Sequence, residues 1–167
     1  MREREVFMAK NIQIVVFGIG KEYYGVSIEA VHEIVRVPEI TAVPDAPEFL
    51  EGVINLRGRI IPVVDLRKRL RIGRSERTKA SRVLITENGG RMIGILVDFV
   101  SEVRKLADES VEQPPEMIAA VGIEYITGVA KVDDRLIIFL DMKKILSIDD
   151  VKKLRTATET AAEAAPR

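Results

Sequence analysis

The sequence has no cysteine and a single histidine, His32. Disulfides and thiolate metal centres are therefore excluded, and a histidine-rich metal site has nothing to draw on. There is no excess of charge: 26 basic residues balance 26 acidic ones. A general nucleic-acid or membrane-surface binder carries a strong basic excess, so both classes are disfavoured. Aromatics make up 5% of the chain, too few for the stacking platform of a single-strand binder. No apolar run approaches the roughly 18 residues of a membrane span. The opening segment, MREREVFMAK, lacks the apolar stretch of a secretory signal. These absences point to a soluble, intracellular protein, for which we expect no cofactor and no metal.

What is present is a repeat. Residues 52–70 slide onto 128–146 at an offset of 76, so that Gly52, Arg59, Ile61, Asp65 and Lys68 meet Gly128, Arg135, Ile137, Asp141 and Lys144. The stretches before them match at an offset of 69: Gly20, Gly25, Val31 and Glu33 meet Gly89, Gly94, Val100 and Glu102. Self-similarity at a fixed offset is the strongest architectural signal a chain can carry. The chain therefore reads as one unit of roughly 65 residues written twice.

Each copy shows the same order of elements. Asn11–Phe17 and Tyr23–Ile28 are β-branched or aromatic runs around a Gly turn, as are Arg82–Thr86 and Met92–Val97 around Asn88-Gly89-Gly90. A further extended run follows in each, from Ile34 and from Val103. The pattern then repeats strand–turn–strand, with turns at Arg57-Gly58 and Asp133-Asp134, and Asp65 and Asp141 as N-caps of short helices. Asp45 reads as another N-cap, with Pro47 in the first turn of a short helix.

About five short strands per copy predict a mainly β fold of two SH3-like or OB-like five-stranded barrels. The expected organisation is a loose tail over 1–10 and one domain over 11–148, split into subdomains at about 11–75 and 76–148. Residues 149–167 read as a frayed helix or disordered tail. A barrel of this size is marginal alone, so the two should share a face, with a ligand or partner groove between them.

Most polar candidates have plain readings. Gly18-Ile-Gly-Lys-Glu-Tyr lacks the third glycine of a dinucleotide fingerprint and reads as a hairpin turn. Asp98 and Glu102 have no nucleophile or base at matching spacing. Asp133-Asp134 reads as a turn rather than a magnesium site. The basic run Arg67–Arg71 reads as a solvated helix face, and His32 stands alone. Arg57 is different, because a tight turn needs no arginine, and its fork of donors suits a carboxylate. We expect it accessible and near the inter-barrel groove. Val15, Ile28, Val31 and Ile34 are either core or an exposed apolar face.

The run Gly52-Val-Ile-Asn-Leu-Arg-Gly-Arg-Ile-Ile-Pro-Val-Val-Asp-Leu is similar to the signature of the CheW family of bacterial chemotaxis coupling proteins. Gly94-Ile-Leu-Val-Asp and the segment from Gly128 to Leu146 resemble its later motifs, and the likeness spans roughly residues 11–147. It implies two SH3-like barrels and a non-catalytic adaptor linking methyl-accepting chemoreceptors to the histidine kinase CheA, in the cytoplasm at membrane receptor arrays. By motif, Arg57, Glu33, Asn55 and Gly52 fall at receptor-coupling positions. Val15, Ile28, Val31 and Ile34 fall where the family meets the kinase's regulatory domain. A coupling protein of a pilus or cyclase pathway is the alternative. An enzyme working in the groove and a small nucleic-acid binder are weaker ones.

Overall fold

The computed structural model describes residues 11–73, 77–116 and 124–164. The tail expected over 1–10 and the last three residues lie outside that range.

The chain runs β1 (Asn11–Ile19), β2 (Glu22–Ser27), a 3-10 turn (Ile28–Ala30), β3 (Val31–Arg36), β4 (Leu50–Leu56), β5 (Arg59–Asp65) and α1 (Leu66–Leu70). It continues β6 (Arg82–Asn88), β7 (Arg91–Val97), β8 (Phe99–Ala107), a 3-10 turn (Asp108–Ser110), β9 (Ile126–Val132), β10 (Arg135–Leu140), α2 (Met142–Ile145) and α3 (Ile148–Ala164). The two halves match element by element. Both short helices start from the expected aspartate: Asp65 accepts the backbone N–H of Arg67 at 3.0 Å and Asp141 that of Lys143 at 2.9 Å.

The strands form two five-stranded sheets, each curled into an SH3-like barrel. Barrel I has the order β8-β1-β2-β10-β9 and barrel II the order β3-β6-β7-β5-β4. The division expected at about residue 75 does not hold. Each half lends its first hairpin to the other half's last three strands. Two parallel pairings seal the exchange: β10 runs beside β2, with Phe139 opposite Gly25, and β5 beside β7, with Val63 opposite Gly94. The cause lies in β1 and β6, which are apolar on both faces. Ile14 and Val16 fill barrel I, and Val83 and Ile85 fill barrel II. Their neighbours Val15, Phe17 and Leu84 point the other way, into a larger core between the barrels. A strand buried on both sides reads as a continuous apolar run.

One local expectation fails. Residues 45–49 form turns rather than a helix, because Asp45 sits at φ +56°, outside the extended region an N-cap requires. Of the two alternatives for residues 149–164, the structure shows the helix. Leu154 and Ala157 of α3 are buried in the inter-barrel core with Val151 packed against it, a spacing that places all three on one helix face.

Candidate functional site

The β4–β5 turn holds Arg57. Both turn residues are left-handed, with φ +51° at Arg57 and +86° at Gly58. This is the paired-positive geometry of tight hairpins, which favours Asn, Asp or Gly. The backbone therefore does more than tolerate other residues here; it disfavours arginine. Asn55 builds the turn, its Oδ1 accepting the N–H of Gly58 at 2.9 Å. Arg57 then reaches to β3. Its Nη1 donates to Glu33 Oε2 at 3.0 Å and its Nη2 to Oε1, a two-pronged pair. The hydrogen bonds from the guanidinium hold the Glu33 carboxyl below the usual carboxylate range. The Arg57 side chain is still 69% exposed.

The equivalent place in the other half reverses the charges. The turn Asp133-Asp134 has φ +50° and +64°, and Asp133 accepts from Arg104 on β8. Beside it Arg135 donates to Glu102 at 2.9 Å and lies 4.4 Å from the Tyr23 ring centroid. Glu33 and Glu102 are equivalent, as are Arg57 and Asp133. Each barrel is thus braced across its open edge by an ion pair, with basic and acidic ends exchanged.

The structure separates the other candidates. Gly52 is buried, and a Cβ on it would strike the carbonyl of Thr41, whose strand bridges to Val53. Gly52 lets two backbones approach and offers no surface to a receptor. Gly128 does the same where Glu112 bridges to Val129. Val15 is also corrected. At 1% exposure, in the inter-barrel core, it cannot form part of a kinase-facing surface. Ile28 and Val31 are half-buried against that core, whereas Ile34 is 37% exposed. Val103, the counterpart of Ile34, and Leu136 on β10 are exposed on barrel I.

Several other acids and bases among the described residues are paired with one another. Arg67 meets Asp98 at 3.0 Å, Lys68 meets Glu51 at 3.7 Å and Arg69 meets Asp150 at 3.8 Å. The basic helix is neutralised along its length, which removes the footprint a nucleic acid would need. Asp98 and Glu102 each hold an arginine, so neither is poised as a catalytic acid or base. His32 is not alone: it lies 3.1 Å from Glu87.

A groove runs between the barrels on one side. One cavity of about 550 Å³ is lined by Ile12, Ile14, Phe139 and Met142, and adjoins another of about 350 Å³ lined by His32, Glu87, Gly89 and Gly90. Glu29, Ala30, Met142 and Lys143 border both. Neither Arg57 nor Glu33 lines either cavity, so the expected place of Arg57 beside the groove is not among these contacts. Sequence reasoning singled out neither Glu29 nor Lys143. The signal was available, since the two offsets align them with Asp98 and Arg67.

Comparison with known proteins agrees with this architecture. The CheW-like domain family matches residues 13–150. The chain is 35% identical over 161 residues to the chemotaxis protein CheW of Treponema pallidum, covering 92% of this chain and 95% of that one. It is 34% identical to the CheW of Klebsiella aerogenes, covering 83% and 84% of the two chains. Among solved structures, the scaffolding protein TtCheW from Thermoanaerobacter tengcongensis superposes with a TM-score of 0.76 at 41% identity, over 84% of this chain and 91% of that one. Sequence and fold agree over nearly the full length of these relatives, and on that basis the chain belongs to the CheW family.

Proposed function

We propose that this protein is a non-catalytic adaptor that couples methyl-accepting chemoreceptors to the histidine kinase CheA in chemotaxis signalling. It works in the cytoplasm, at membrane receptor arrays. Arg57 carries the reading. A long cationic side chain is kept at a left-handed turn position that costs an L-residue about 1–2 kcal/mol of backbone strain, and it is presented 69% exposed. Strain retained at an exposed polar residue is a mark of function. The two faces have different chemistry. The Arg57 turn offers charge to the receptor, and the groove offers an apolar floor to a receptor helix. Ile34, exposed on β3, offers an aliphatic surface to the kinase's regulatory domain, barrel against barrel, with Ile28 and Val31 half-buried against the inter-barrel core.

The test is a pair of titrations, one against a receptor cytoplasmic fragment and one against the kinase regulatory domain. Arg57→Ala should weaken the first about tenfold or more and leave the second unchanged. Arg57→Lys should recover only part, because lysine lacks the planar fork. Wild-type protein that binds neither partner sinks the adaptor reading.

A further inference from the structure

The two sides of the inter-barrel seam are built from equivalent residues but finished differently. On one side the seam is closed. Asp98, between β7 and β8, accepts the N–H of Gly20 at 2.7 Å and Nη2 of Arg67 at 3.0 Å. The guanidinium lies so close over Gly20 that a Cβ there would stand 2.9 Å from Nη2. One aspartate thus ties the Gly20 turn and Arg67 of α1 to the β7–β8 junction.

Shifting Gly20 and Asp98 by 69 gives Gly89 and Glu29, and shifting Arg67 by 76 gives Lys143. All three border the cavity of about 350 Å³ on the opposite side. There the closure is missing. Among the described residues, neither the Glu29 carboxylate nor the Lys143 ammonium has a hydrogen-bond or ion-pair partner. Lys143 leaves its helix from the same position as Arg67, one residue past the one that follows the capping aspartate. It brings a point charge rather than a planar fork. Glu87 adds a second carboxylate from β6, 3.1 Å from His32.

We infer that this cavity is a seat for an arginine side chain supplied by a partner. The open side takes in trans the guanidinium that the closed side supplies from its own chain, set over Gly89 and held by Glu29. The adjoining apolar cavity, floored by Ile12, Phe139 and Met142, takes the apolar face of the same partner. Apolar floor and acidic end together fit an amphipathic helix with an arginine at its edge. The inference rests on the adaptor reading, and the helix is that of the receptor.

The experiment titrates a receptor cytoplasmic fragment into wild type, Glu29→Gln, and the double variant Glu29→Asp with Lys143→Arg. The double variant rebuilds the closed side's residues and should plug the seat from within. Both variants should bind about tenfold or more weakly, with no loss of melting temperature. Replacing one exposed arginine of the fragment by alanine should weaken wild type as much and Glu29→Gln no further. Glu29→Gln or the double variant binding at wild-type strength overturns the seat, as does the absence of any fragment arginine coupled to Glu29. If only Arg57→Ala loses binding, the adaptor reading stands without the seat. A fragment that fails to bind wild type at all overturns both.

Discussion

Arg57 and Glu33 sit on opposite edges of one five-stranded sheet and are joined by two parallel hydrogen bonds between side chains. In barrel I the same span is crossed by Arg104 and Asp133, with the carboxylate now on the turn and the cation on the strand. The contacts have a measurable acid–base signature. The hydrogen bond from Arg57 lowers the Glu33 titration, and that from Arg104 lowers the Asp133 titration. A lowered carboxylate contributes stability that is present above its unfolded pKa and is lost as pH falls through its folded one. These braces should therefore be unchanged from neutral pH down through the usual carboxylate range, and open only below it. An NMR titration of the carboxyl carbons should show both midpoints depressed. In Arg57→Ala the Glu33 midpoint should return upward while that of Asp133 stays low.

Arg57→Gly should part stability from coupling. Glycine accepts φ +51° without a steric penalty. The melting temperature should rise, by roughly 2–4 °C for a domain of this size, while receptor binding falls as in Arg57→Ala. A lower melting temperature would mean that the brace outweighs the backbone strain and that Arg57 serves its own fold.

The aliphatic candidates should sort by depth. Ile34→Glu changes an exposed residue and should weaken binding to the kinase regulatory domain with little effect on melting. Val31→Glu places a charge on a half-buried position against the inter-barrel core, so it should lose both. Val15→Ala should leave kinase binding intact and cost about 2 kcal/mol of stability, as a core truncation. Denaturant melts beside binding titrations check all three.

The glycines of the second hairpins differ in what surrounds them. Gly52→Ala drives a Cβ into the Thr41 carbonyl, and Gly128→Ala brings one to 2.9 Å from the Glu112 carbonyl and 2.6 Å from a Val111 methyl. Each should destabilise by roughly 1–3 kcal/mol or more. Gly58→Ala meets nothing within 4 Å and should cost only its φ of +86°, about 1 kcal/mol.

Helix α3 should prove integral to the domain. Leu154 is 2% exposed in the inter-barrel core, and Leu154→Ala should cost about 2–5 kcal/mol. An unchanged denaturation midpoint would return residues 149–164 to the status of a tail.

Much of this was legible in the chain. The repeat at 76 placed both hairpins and both capped helices, because turn chemistry and helix capping are local and announce themselves in a few residues. Arg57 stood out because its counterpart was an aspartate. The exchange of hairpins between halves was not legible. The hairpin of β1 and β2 looks the same whichever sheet receives it, and only the parallel pairings, Phe139 with Gly25 and Val63 with Gly94, distinguish the two arrangements. Val15 was misplaced for a related reason. An alternating pattern marks one buried face, and in β1 both faces are buried, so position along the strand no longer separates inside from outside. Asp45 failed as a cap because its left-handed backbone leaves no trace in a single-residue preference.

The shared strands govern how this protein comes into being. Barrel I cannot close until β10 has been made, and barrel II cannot close until β7 has, so neither fold is complete when the first half of the chain has left the ribosome. At about 5–20 residues per second that delay lasts several seconds, during which β1 and β2 carry two apolar faces and no sheet to receive them. Barrel II can close once β7 has emerged, whereas barrel I and the core between the barrels wait for β10. A fragment ending midway does not yield half an adaptor that could occupy one partner while ignoring the other. For a component that must join two signalling proteins, truncation removes both attachments at once.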